Sequence, residues 1–387
     1  MNPLAGLSEQ LELRKEQGLY RRRHVIDGPQ GVLLRRDGRE LLSFCSNDYL
    51  GLANHPQVAE AMRAGVSRYG VGSGAAHLIS GHSVAHHALE DELAGLLGAE
   101  RALLFSTGYM ANLGVLSALL GRGDTLLQDK LNHASLIDGA AQSGARLRRY
   151  RHADMEGLGE QLGRAAGARL IATDGVFSMD GDLAPLREMA GLARQHDAAL
   201  MVDDAHGFGV LGKQGAGSVR AAGLGFEEVP IYMATLGKAL GVAGAFVAGS
   251  DDLIETLIQR ARSYVYTTAM PAALAEATRT SLRIMAEEYW RRDHLRTLVN
   301  RFRAGAQALG LQLVDSPTPI QPLILGDAQT ALDWSEALLA QDILVTAIRP
   351  PTVPQGAARL RVTLSALHQA EHVDRLLDAL QPLAEAA

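Results

Sequence analysis

Short, mostly apolar segments alternate with amphipathic ones over the middle of the chain. Each apolar segment is four or five residues long and is bounded by glycine or by polar residues. Six of them recur, at residues 102–105, 125–128, 170–173, 198–202, 231–234 and 245–248. Continuous apolar segments of this length are typical of strands buried on both faces. Their alternation with helices predicts a mostly parallel sheet wrapped by helices, an α/β fold.

The clearest helical pattern spans residues 84–97, where apolar residues recur every three or four positions. The residues on its apolar face are Val84, Ala88, Leu89, Leu93, Leu96 and Leu97. A more polar helix is predicted near the N-terminus, over residues 8–23, and short strands are predicted after it at 31–36 and 40–44.

Beyond about residue 285 the pattern changes to long helices separated by isolated strands. Helices are predicted over 290–309 and 370–383, and strands near 320–325, 343–346 and 360–363. This arrangement predicts a second, smaller α+β domain. We therefore expect three parts: an N-terminal helix and arm (1–50), a large α/β domain (51–285) and a small C-terminal α+β domain (286–387).

Charge and composition exclude several classes of protein. The 387-residue chain has a net charge of −6 and contains no block of like charges typical of a nucleic-acid or membrane surface. The densest basic cluster, Arg21 to Arg23, is by itself typical of a solvated helix end. Cys45 is the only cysteine, so neither an intrachain disulfide nor a cysteine-based metal cage is expected. No signal peptide or long apolar segment is evident, which predicts a cytoplasmic protein.

Chemistry-bearing residues follow several of the predicted strands, where open α/β sheets bind their ligands. The first group is Ser106 to Tyr109, between a strand and a helix predicted to begin near Met110. A helix N-terminus attracts phosphate, and Gly108 would let the backbone approach one closely. Taken alone, the same residues are more typical of an ordinary helix cap.

An acidic pair, Asp203 and Asp204, closes the strand predicted at 198–202, and His206 follows. A buried carboxylate needs a cation, such as the protonated nitrogen of a pyridine ring. Two other interpretations fit the pair: a metal site, and the acidic strand of a nucleotidase. Residues 207–213 even have the glycine–lysine spacing of a P-loop, but Gln214 replaces the Ser or Thr that binds magnesium, so we set the nucleotidase aside.

Lys238 follows the strand predicted at 231–234, between small residues. Such a buried amine has a lowered pKa and can form a Schiff base, whereas an isolated lysine is more often a surface residue. His133 could stack on a flat heteroaromatic ring, although an isolated histidine there is more often a plain helix N-terminal residue. The order of these groups along the chain favours a pyridoxal phosphate (PLP) site with its Schiff base on Lys238.

Over nearly its full length the chain resembles the α-oxoamine synthases, a family of fold-type-I PLP enzymes. The matching stretches are SNDYLGL (46–52), GSG and SG (within 72–81), HHALEDEL (86–93), LNHASL (131–136), GVFSMDGD (175–182), VDDAHGFGVLG (202–212), TLGKALG (235–241), YTTAMP (266–271) and RPPTVPQGAARLRVTLSALH (349–368). The resemblance implies a large domain with a mostly parallel sheet, a smaller C-terminal α+β domain, and a homodimer whose active site lies near the interface.

The resemblance also implies a role for each matching residue. Lys238 would form the Schiff base, Asp203 would pair with the pyridine nitrogen, His206 would contact the phenolic oxygen and His133 would stack on the ring. The other residues that it implicates are Gly108, Tyr109 and Thr235 at the phosphate, Ser178 beside the cofactor, Arg361 at the amino-acid carboxylate, and Arg21 and Thr352 at the acyl substrate.

Within the family, the RPPTVP and LNHASL stretches favour the biotin-pathway branch over the glycine-using relatives. That branch condenses L-alanine with a pimeloyl thioester, carried by coenzyme A or by an acyl carrier protein, and releases CO₂. The alternatives are a glycine C-acyltransferase of the same family and, from another class, a PLP-binding partner protein without catalysis. His77 stands where many relatives carry an arginine, which bears on the charge of the acyl site, and Ala239 stands where a glycine is common.

Overall fold

The computed structural model describes residues 2–17 and 19–386, in which thirteen strands are found. They are β1 (Leu33–Arg36), β2 (Arg39–Ser43), β3 (Arg101–Phe105), β4 (Thr125–Asp129), β5 (Arg146–Tyr150), β6 (Arg169–Asp174), β7 (Ala199–Asp203), β8 (Ile231–Thr235), β9 (Ala245–Gly249), β10 (Ile320–Gly326), β11 (Ile343–Leu344), β12 (Thr346–Ile348) and β13 (Ala358–Thr363). All six strands predicted between residues 100 and 250 are confirmed, each within one residue of its predicted bounds.

Fourteen α-helices lie in the described part of the chain. They are α1 (Leu7–Glu16), α2 (Pro56–Tyr69), α3 (Val84–Leu97), α4 (Gly108–Leu119), α5 (Ala134–Ser143), α6 (Met155–Gly163), α7 (Leu186–Gln195), α8 (Gly217–Ala221), α9 (Asp251–Arg260), α10 (Arg262–Val265), α11 (Ala272–Glu287), α12 (Trp290–Ala308), α13 (Ala328–Ala340) and α14 (Ala370–Glu385). A π-helical turn (His77–Gly81) and a 3₁₀ turn (Lys213–Gly215) complete the list. None of these helices is long and apolar enough to cross a membrane.

Seven strands form the largest sheet, in the order β3-β9-β8-β7-β6-β4-β5. Strands β8, β7, β6, β4 and β5 are parallel to one another, and β9 is antiparallel to both of its neighbours. Alternate residues of β3 pack on opposite sides, with Leu104 in one apolar cluster and Leu103 and Phe105 in another. The sheet is therefore buried on both faces, as its continuous apolar segments predicted.

Strand β5 was not predicted, because its sequence RLRRY carries three arginines. It pairs with β4 alone, at the edge of the sheet, and two of its arginines, Arg146 and Arg149, are exposed. Charged side chains at a sheet edge hinder pairing with another chain. The arginines that prevent recognition of this strand by an apolar pattern therefore also protect its free edge from such pairing.

Two predicted elements differ from the structure. The N-terminal helix, predicted over 8–23, ends at Glu16. It buries no residue, so no packing extends it past Gly18, a poor helix former that lies outside the described residues. The strand predicted over 343–346 is divided at Val345, because β11 joins β1 and β2 whereas β12 joins β10 and β13. The predicted C-terminal helices are confirmed by α12 and α14.

The division into an arm and two domains stays a prediction. Strand β2 of the predicted arm pairs in parallel with β11 of the predicted C-terminal domain. Phe44, just after β2, exchanges backbone hydrogen bonds with Leu344 and Thr363. These pairings place the segment after β2, residues 45–52, where Tyr49 contacts both His206, beyond β7, and Ala366, beyond β13.

Three neighbouring parallel strands end in aspartates at one edge of the large sheet: Asp203 on β7, Asp174 on β6 and Asp129 on β4. His152 compensates the outermost of them. Its Nδ1 lies 3.1 Å from both carboxylate oxygens of Asp129, and its Nε2 lies 2.8 Å from Asp182. Burial lowers the pKa of His152, but the two carboxylates outweigh this effect and raise the pKa to about 10. The imidazolium of His152 thus links Asp182, in the 175–182 loop, to Asp129 at the end of β4.

We predict that this ion pair makes stability fall at alkaline pH. The pKa of His152 rises from 6.5 to about 10 on folding, so the folded state holds an extra proton between these values. Stabilisation is complete below pH 6.5 and is lost as pH rises toward 10, by up to about 1.4 kcal/mol per pH unit. Urea unfolding of wild type and His152→Gln should differ most near pH 6 and least near pH 10. A difference that stays constant with pH would contradict the assignment.

Candidate active site

A cavity of about 210 Å³ opens at the carboxyl ends of β6, β7 and β8. Its lining includes all eight residues singled out for the cofactor from the sequence, which the fold brings together from five separate segments. The lining residues are Gly108, Tyr109, His133, Ser135, Asp174, Val176, Ser178, Asp203, Ala205, His206, Met233, Thr235 and Lys238. The geometry agrees with the rule that open α/β sheets bind ligands at this edge.

Lys238 lies in the turn after β8, and its amine is buried in the cavity wall. Nζ lies 2.9 Å from Nε2 of His206. Burial lowers the pKa of Lys238 to about 8, although the charges of Asp203 and Asp174 act in the opposite direction. Such an amine is unprotonated far more often at neutral pH than a surface lysine, which suits a nucleophile or a base.

Asp203 is held in place by two donors from the protein. Nδ2 of Asn112 donates to Oδ2 at 2.7 Å, and the backbone N–H of Ala205 donates to Oδ1 at 3.1 Å. Asp174 lies beside it in register on β6, and burial together with the charge of Asp203 raises the pKa of Asp174. Two carboxyl groups therefore meet at the cavity, an arrangement that favours a bound cation.

His206 joins Lys238 to the segment that precedes α2. Its Nδ1 forms a 2.6 Å hydrogen bond with the hydroxyl of Tyr49, which belongs to the SNDYLGL stretch. Burial lowers the pKa of His206 well below its usual value, and the charges of Lys238 and Arg361 act in the same direction. The ring is therefore neutral and has one donor and one acceptor nitrogen.

His133 both caps a helix and lines the cavity, so its helix N-terminal position is confirmed, whereas its stacking on a ring stays a prediction. It is the N-cap of α5, and its Nδ1 accepts a hydrogen bond from the backbone N–H of Ser135 at 3.3 Å. Its own N–H donates to Asp174 Oδ2 at 3.1 Å. These contacts fix the backbone under an exposed ring at the mouth of the cavity.

The N-terminus of α4 faces the cavity on the side of Thr235. The helix begins at Gly108, two residues before the predicted start, and Thr107 Oγ1 caps it by accepting from the N–H of Met110 at 3.1 Å. A Cβ added to Gly108 would lie 2.7 Å from Cγ2 of Thr235, closer than packed atoms allow. Glycine is therefore required for α4 to approach β8 this closely. The free backbone N–H groups at the start of α4 form an anion-binding site.

Arg361, on β13, is buried and is held by two other segments. Its Nε donates to the carbonyl oxygen of Ser178 at 2.7 Å, and both terminal nitrogens lie 3.4 Å from Oδ1 of Asn47. Although Arg361 is absent from the lining of the cavity, its charge acts on both Lys238 and His206. The guanidinium thus lies within electrostatic range of the amine.

Arg21 and Thr352 are not brought to this cavity. Both side chains are exposed, and neither is among the residues that line it. Their assignment to the acyl substrate stays a prediction.

Sequence reasoning assigned no role to Asn112, Tyr49 and Asp174, or to four more residues that line the cavity, Ser135, Val176, Ala205 and Met233. Asp174 had a usable signal, because it closes an apolar strand in the same way as Asp203. Asn112 lies one helical turn after Gly108, so its side chain falls on the same face of α4. The contact between Tyr49 and His206 joins residues 157 positions apart, and no local pattern indicates it.

Comparison with known proteins agrees with this geometry. Residues 39–380 match the family model for aminotransferase class I and II. The curated 8-amino-7-oxononanoate synthase of Thioalkalivibrio sulfidiphilus is 63% identical over 379 residues, which cover 97% of each chain.

Two solved structures extend the agreement to the whole fold. A serine palmitoyltransferase from S. paucimobilis with a bound PLP–myriocin aldimine has a TM-score of 0.91 and 29% identity, and the match covers 99% of this chain and 97% of that one. The 8-amino-7-oxononanoate synthase from Francisella tularensis has a TM-score of 0.80 and 32% identity, with 89% and 98% covered. The predicted fold class is thereby confirmed. By its match over residues 39–380 and its 63% identity to a full-length relative, the chain belongs to the aminotransferase class I and II family.

Proposed function

We propose that this chain catalyses the PLP-dependent condensation of L-alanine with a pimeloyl thioester. The products are 8-amino-7-oxononanoate, CO₂ and the free thiol carrier, in a step of biotin biosynthesis. The observation that carries the chemistry is the cavity in which a buried amine, Lys238, meets the carboxylate of Asp203 and the N-terminus of α4. The substrates follow from the relative that is 63% identical over 97% of its length, an 8-amino-7-oxononanoate synthase.

The residues of the cavity fit the cofactor in three respects. Gly108 lies close to Thr235 and has no side chain, so the backbone N–H groups at the start of α4 are open to a phosphate. The buried carboxylates Asp203 and Asp174 favour a cation, and a protonated pyridine nitrogen is one. The amine of Lys238 has the lowered pKa needed to hold an aldehyde carbon. When bound, PLP supplies an electron sink for negative charge on the α-carbon of the amino acid.

The remaining contacts of the ring are assigned to side chains around the same cavity. We assign Asp203 to the pyridine nitrogen, His206 to the phenolic oxygen and His133 to the face of the ring. Tyr109 and Ser178 complete the lining, at the phosphate and beside the cofactor respectively. Asn112 and Ala205, which donate to Asp203, keep its carboxylate oriented for that contact.

Proton transfer is assigned to Lys238. Its pKa of about 8 leaves part of the amine unprotonated at neutral pH, so Nζ is able to take the α-proton of alanine and return a proton later. His206, at 2.9 Å and anchored by Tyr49, limits where Nζ points. A neutral imidazole in this position does not compete with the amine for the proton.

Arg361 would bind the alanine carboxylate. A guanidinium has five N–H groups, so Arg361 keeps donors beyond its contacts with Ser178 and Asn47. Its two terminal nitrogens, which contact Asn47 only at 3.4 Å, would turn their planar pair of N–H groups to the carboxylate. We further propose that Arg21 and Thr352 face the acyl substrate, whose carrier is coenzyme A or an acyl carrier protein.

We also propose a homodimer in the cytoplasm. Two exposed side chains support the pairing: Ile79, in the π-helical turn, is 80% exposed, and Tyr266, in the YTTAMP stretch, is 71% exposed. The two segments meet through a bridge between Ala76 and Thr268, so they form one surface. Apolar surface of this kind is typical of an interaction face, and a second copy would cover it.

We predict that the purified protein with PLP converts L-alanine and pimeloyl-CoA to 8-amino-7-oxononanoate, faster than glycine and acetyl-CoA to their product. Lys238→Ala should form no product and leave no imine to the protein that borohydride reduces, because the only amine in the cavity is gone. Mass spectrometry of products and of the reduced protein measures both. Faster turnover with glycine and acetyl-CoA would assign the protein to the glycine C-acyltransferases, and activity of Lys238→Ala would overturn the site.

Asp203→Asn should keep cofactor but lose at least about 100-fold in kcat, the effect of removing one preorganised electrostatic partner. The amide oxygen accepts only one of the two hydrogen bonds that Asn112 and Ala205 donate, but the side chain keeps its size and shape, so the fold is preserved while the pyridine nitrogen is no longer held protonated. Visible absorption reports bound cofactor, and steady-state kinetics report the rate. A variant within twofold of wild type would show that Asp203 has another role.

Arg361→Lys and Arg21→Ala should raise KM for different substrates. A lysine cannot form the paired hydrogen bonds, so Arg361→Lys should raise KM for alanine about tenfold or more and leave KM for the acyl thioester nearly unchanged. Arg21→Ala should do the reverse. Steady-state kinetics with each substrate varied in turn measure the two KM values. Each variant serves as the control for the other, because its effect is expected on the other substrate. Equal effects on both substrates would contradict the two assignments.

A further inference from the structure

A second group of titratable side chains lies outside the candidate active site, at the N-terminal end of α3. It consists of four histidines and one glutamate: His77, His82, His86, His87 and Glu90. All of them except His86 line a separate cavity of about 210 Å³, which β3 and α10 bound on the other side. Apart from His77, whose position bears on the charge of the acyl site in the family resemblance, none of the five has a role in the proposed reaction or at the cofactor.

We propose that His82, His87 and Glu90 bind a divalent transition-metal ion, with Zn²⁺ as the best-fitting ion. One ligand atom from each residue lies within 4.8 Å of the others, and Nε2 of His82 lies 3.9 Å from Oε2 of Glu90. His87 and Glu90 are three residues apart on α3, so they project from the same face. Two imidazoles and one carboxylate with an open fourth position are a known ligand set for zinc.

His77 orients the first of these ligands. Its Nδ1 lies 3.0 Å from Nδ1 of His82, within hydrogen-bonding distance. When His82 donates from Nδ1, the lone pair of its Nε2 points toward Glu90, as a metal ligand requires. The ring of His77 is stacked on Tyr264, with centroids 5.1 Å apart and planes inclined by 12°, which fixes its position.

His86 does not join the site, because both of its nitrogens already have partners. Nδ1 accepts the backbone N–H of Ser83 at 3.0 Å, and Nε2 lies 2.7 Å from the carbonyl oxygen of Met270. Ligation by His86 would break one of these buried hydrogen bonds. Because His86 is already engaged, the metal ligands are His82, His87 and Glu90, and not the alternative group of three histidines, 77, 82 and 86.

The electrostatic surroundings favour a cation at this point. Oε1 of Glu90 accepts a hydrogen bond from the N–H of Leu104, while Oε2 faces His82. Burial raises the pKa of Glu90 to about 7, which reflects a buried carboxyl group with too little positive charge nearby. Arg101 lines the same cavity, but its charge is paired with Asp251 at 2.8 Å and Glu255 at 3.4 Å. Asp91 adds a second carboxylate, 3.9 Å from Nε2 of His87. A divalent ion would compensate this negative charge.

Such an ion would join two segments of the fold. His82 lies between the π-helical turn and α3, whereas His87 and Glu90 belong to α3 itself. The turn is otherwise held by backbone contacts such as Ala269 N–H to the carbonyl of Ala75, at 3.0 Å. Binding to the folded state alone stabilises it in proportion to the logarithm of ion concentration. The ion would therefore stabilise the folded state, and its binding does not depend on the proposed function.

The test uses the untagged holoenzyme, freed of metal by EDTA and dialysed. Titration calorimetry with ZnCl₂ should show one ion bound per chain, and the melting temperature should rise with added Zn²⁺. Co²⁺ should give the visible d–d bands of a four- or five-coordinate site. Absence of stoichiometric binding by either ion would overturn the proposal.

Variants identify the ligands. His87→Ala removes an exposed side chain and Glu90→Gln keeps the acceptor for Leu104, so both should fold, yet each should weaken Zn²⁺ binding at least tenfold. His77→Phe keeps a ring against Tyr264 and should weaken binding about tenfold through loss of orientation. His24→Ala, at another exposed histidine, is the control and should bind as wild type does. Unchanged affinity in His87→Ala and Glu90→Gln would place the ion elsewhere and refute the site.

Discussion

The accumulation of buried carboxyl groups at one edge of a parallel sheet is the constraint on which the rest of the molecule depends. Because β7, β6 and β4 run in the same direction, Asp203, Asp174 and Asp129 end side by side in a region with little water. Each needs donors or cations to remain there. Asp129 obtains an imidazolium from His152, and Asp203 obtains an amide, a backbone N–H and the nearby Lys238. The arrangement of the loops around the cavity follows from these requirements.

The balance of charges also sets the pKa of the Lys238 amine. Burial and the charge of Arg361 favour the neutral form of Lys238 and lower its pKa. The carboxylates of Asp203 and Asp174 favour the charged form and raise the pKa. The result is a pKa of about 8, between a surface lysine and a permanently neutral amine. His206 stays neutral because it is buried between Lys238 and Tyr49, so it orders the amine without adding charge. The positions of these charged groups therefore give Lys238 a pKa that suits proton transfer near neutral pH.

Pattern analysis identified those parts of the fold and site whose cause is local. The six strands buried on both faces were found because every residue in them is subject to the same constraint, and Lys238 and Asp203 were found because a charge after such a strand is unusual. Strand β5 was missed because an edge strand need not be apolar. The division at Val345 and the role of Tyr49 depend on pairings between distant segments. Such pairings leave no trace in local periodicity.

The guanidinium that we propose for the amino-acid carboxylate comes from a different part of the molecule from the groups proposed for the cofactor. Arg361 comes from a small C-terminal sheet, and it is aimed by a carbonyl oxygen of the 175–182 loop and by Asn47, which precedes α2. The same loop is anchored by His152 at one end of its sequence and by an ion pair between Arg359 and Asp180 in its middle. Asp203 and Lys238 belong entirely to the large sheet and its turns. A change in how the C-terminal strands pack on the loop therefore moves the guanidinium and leaves the amine and carboxylate in place.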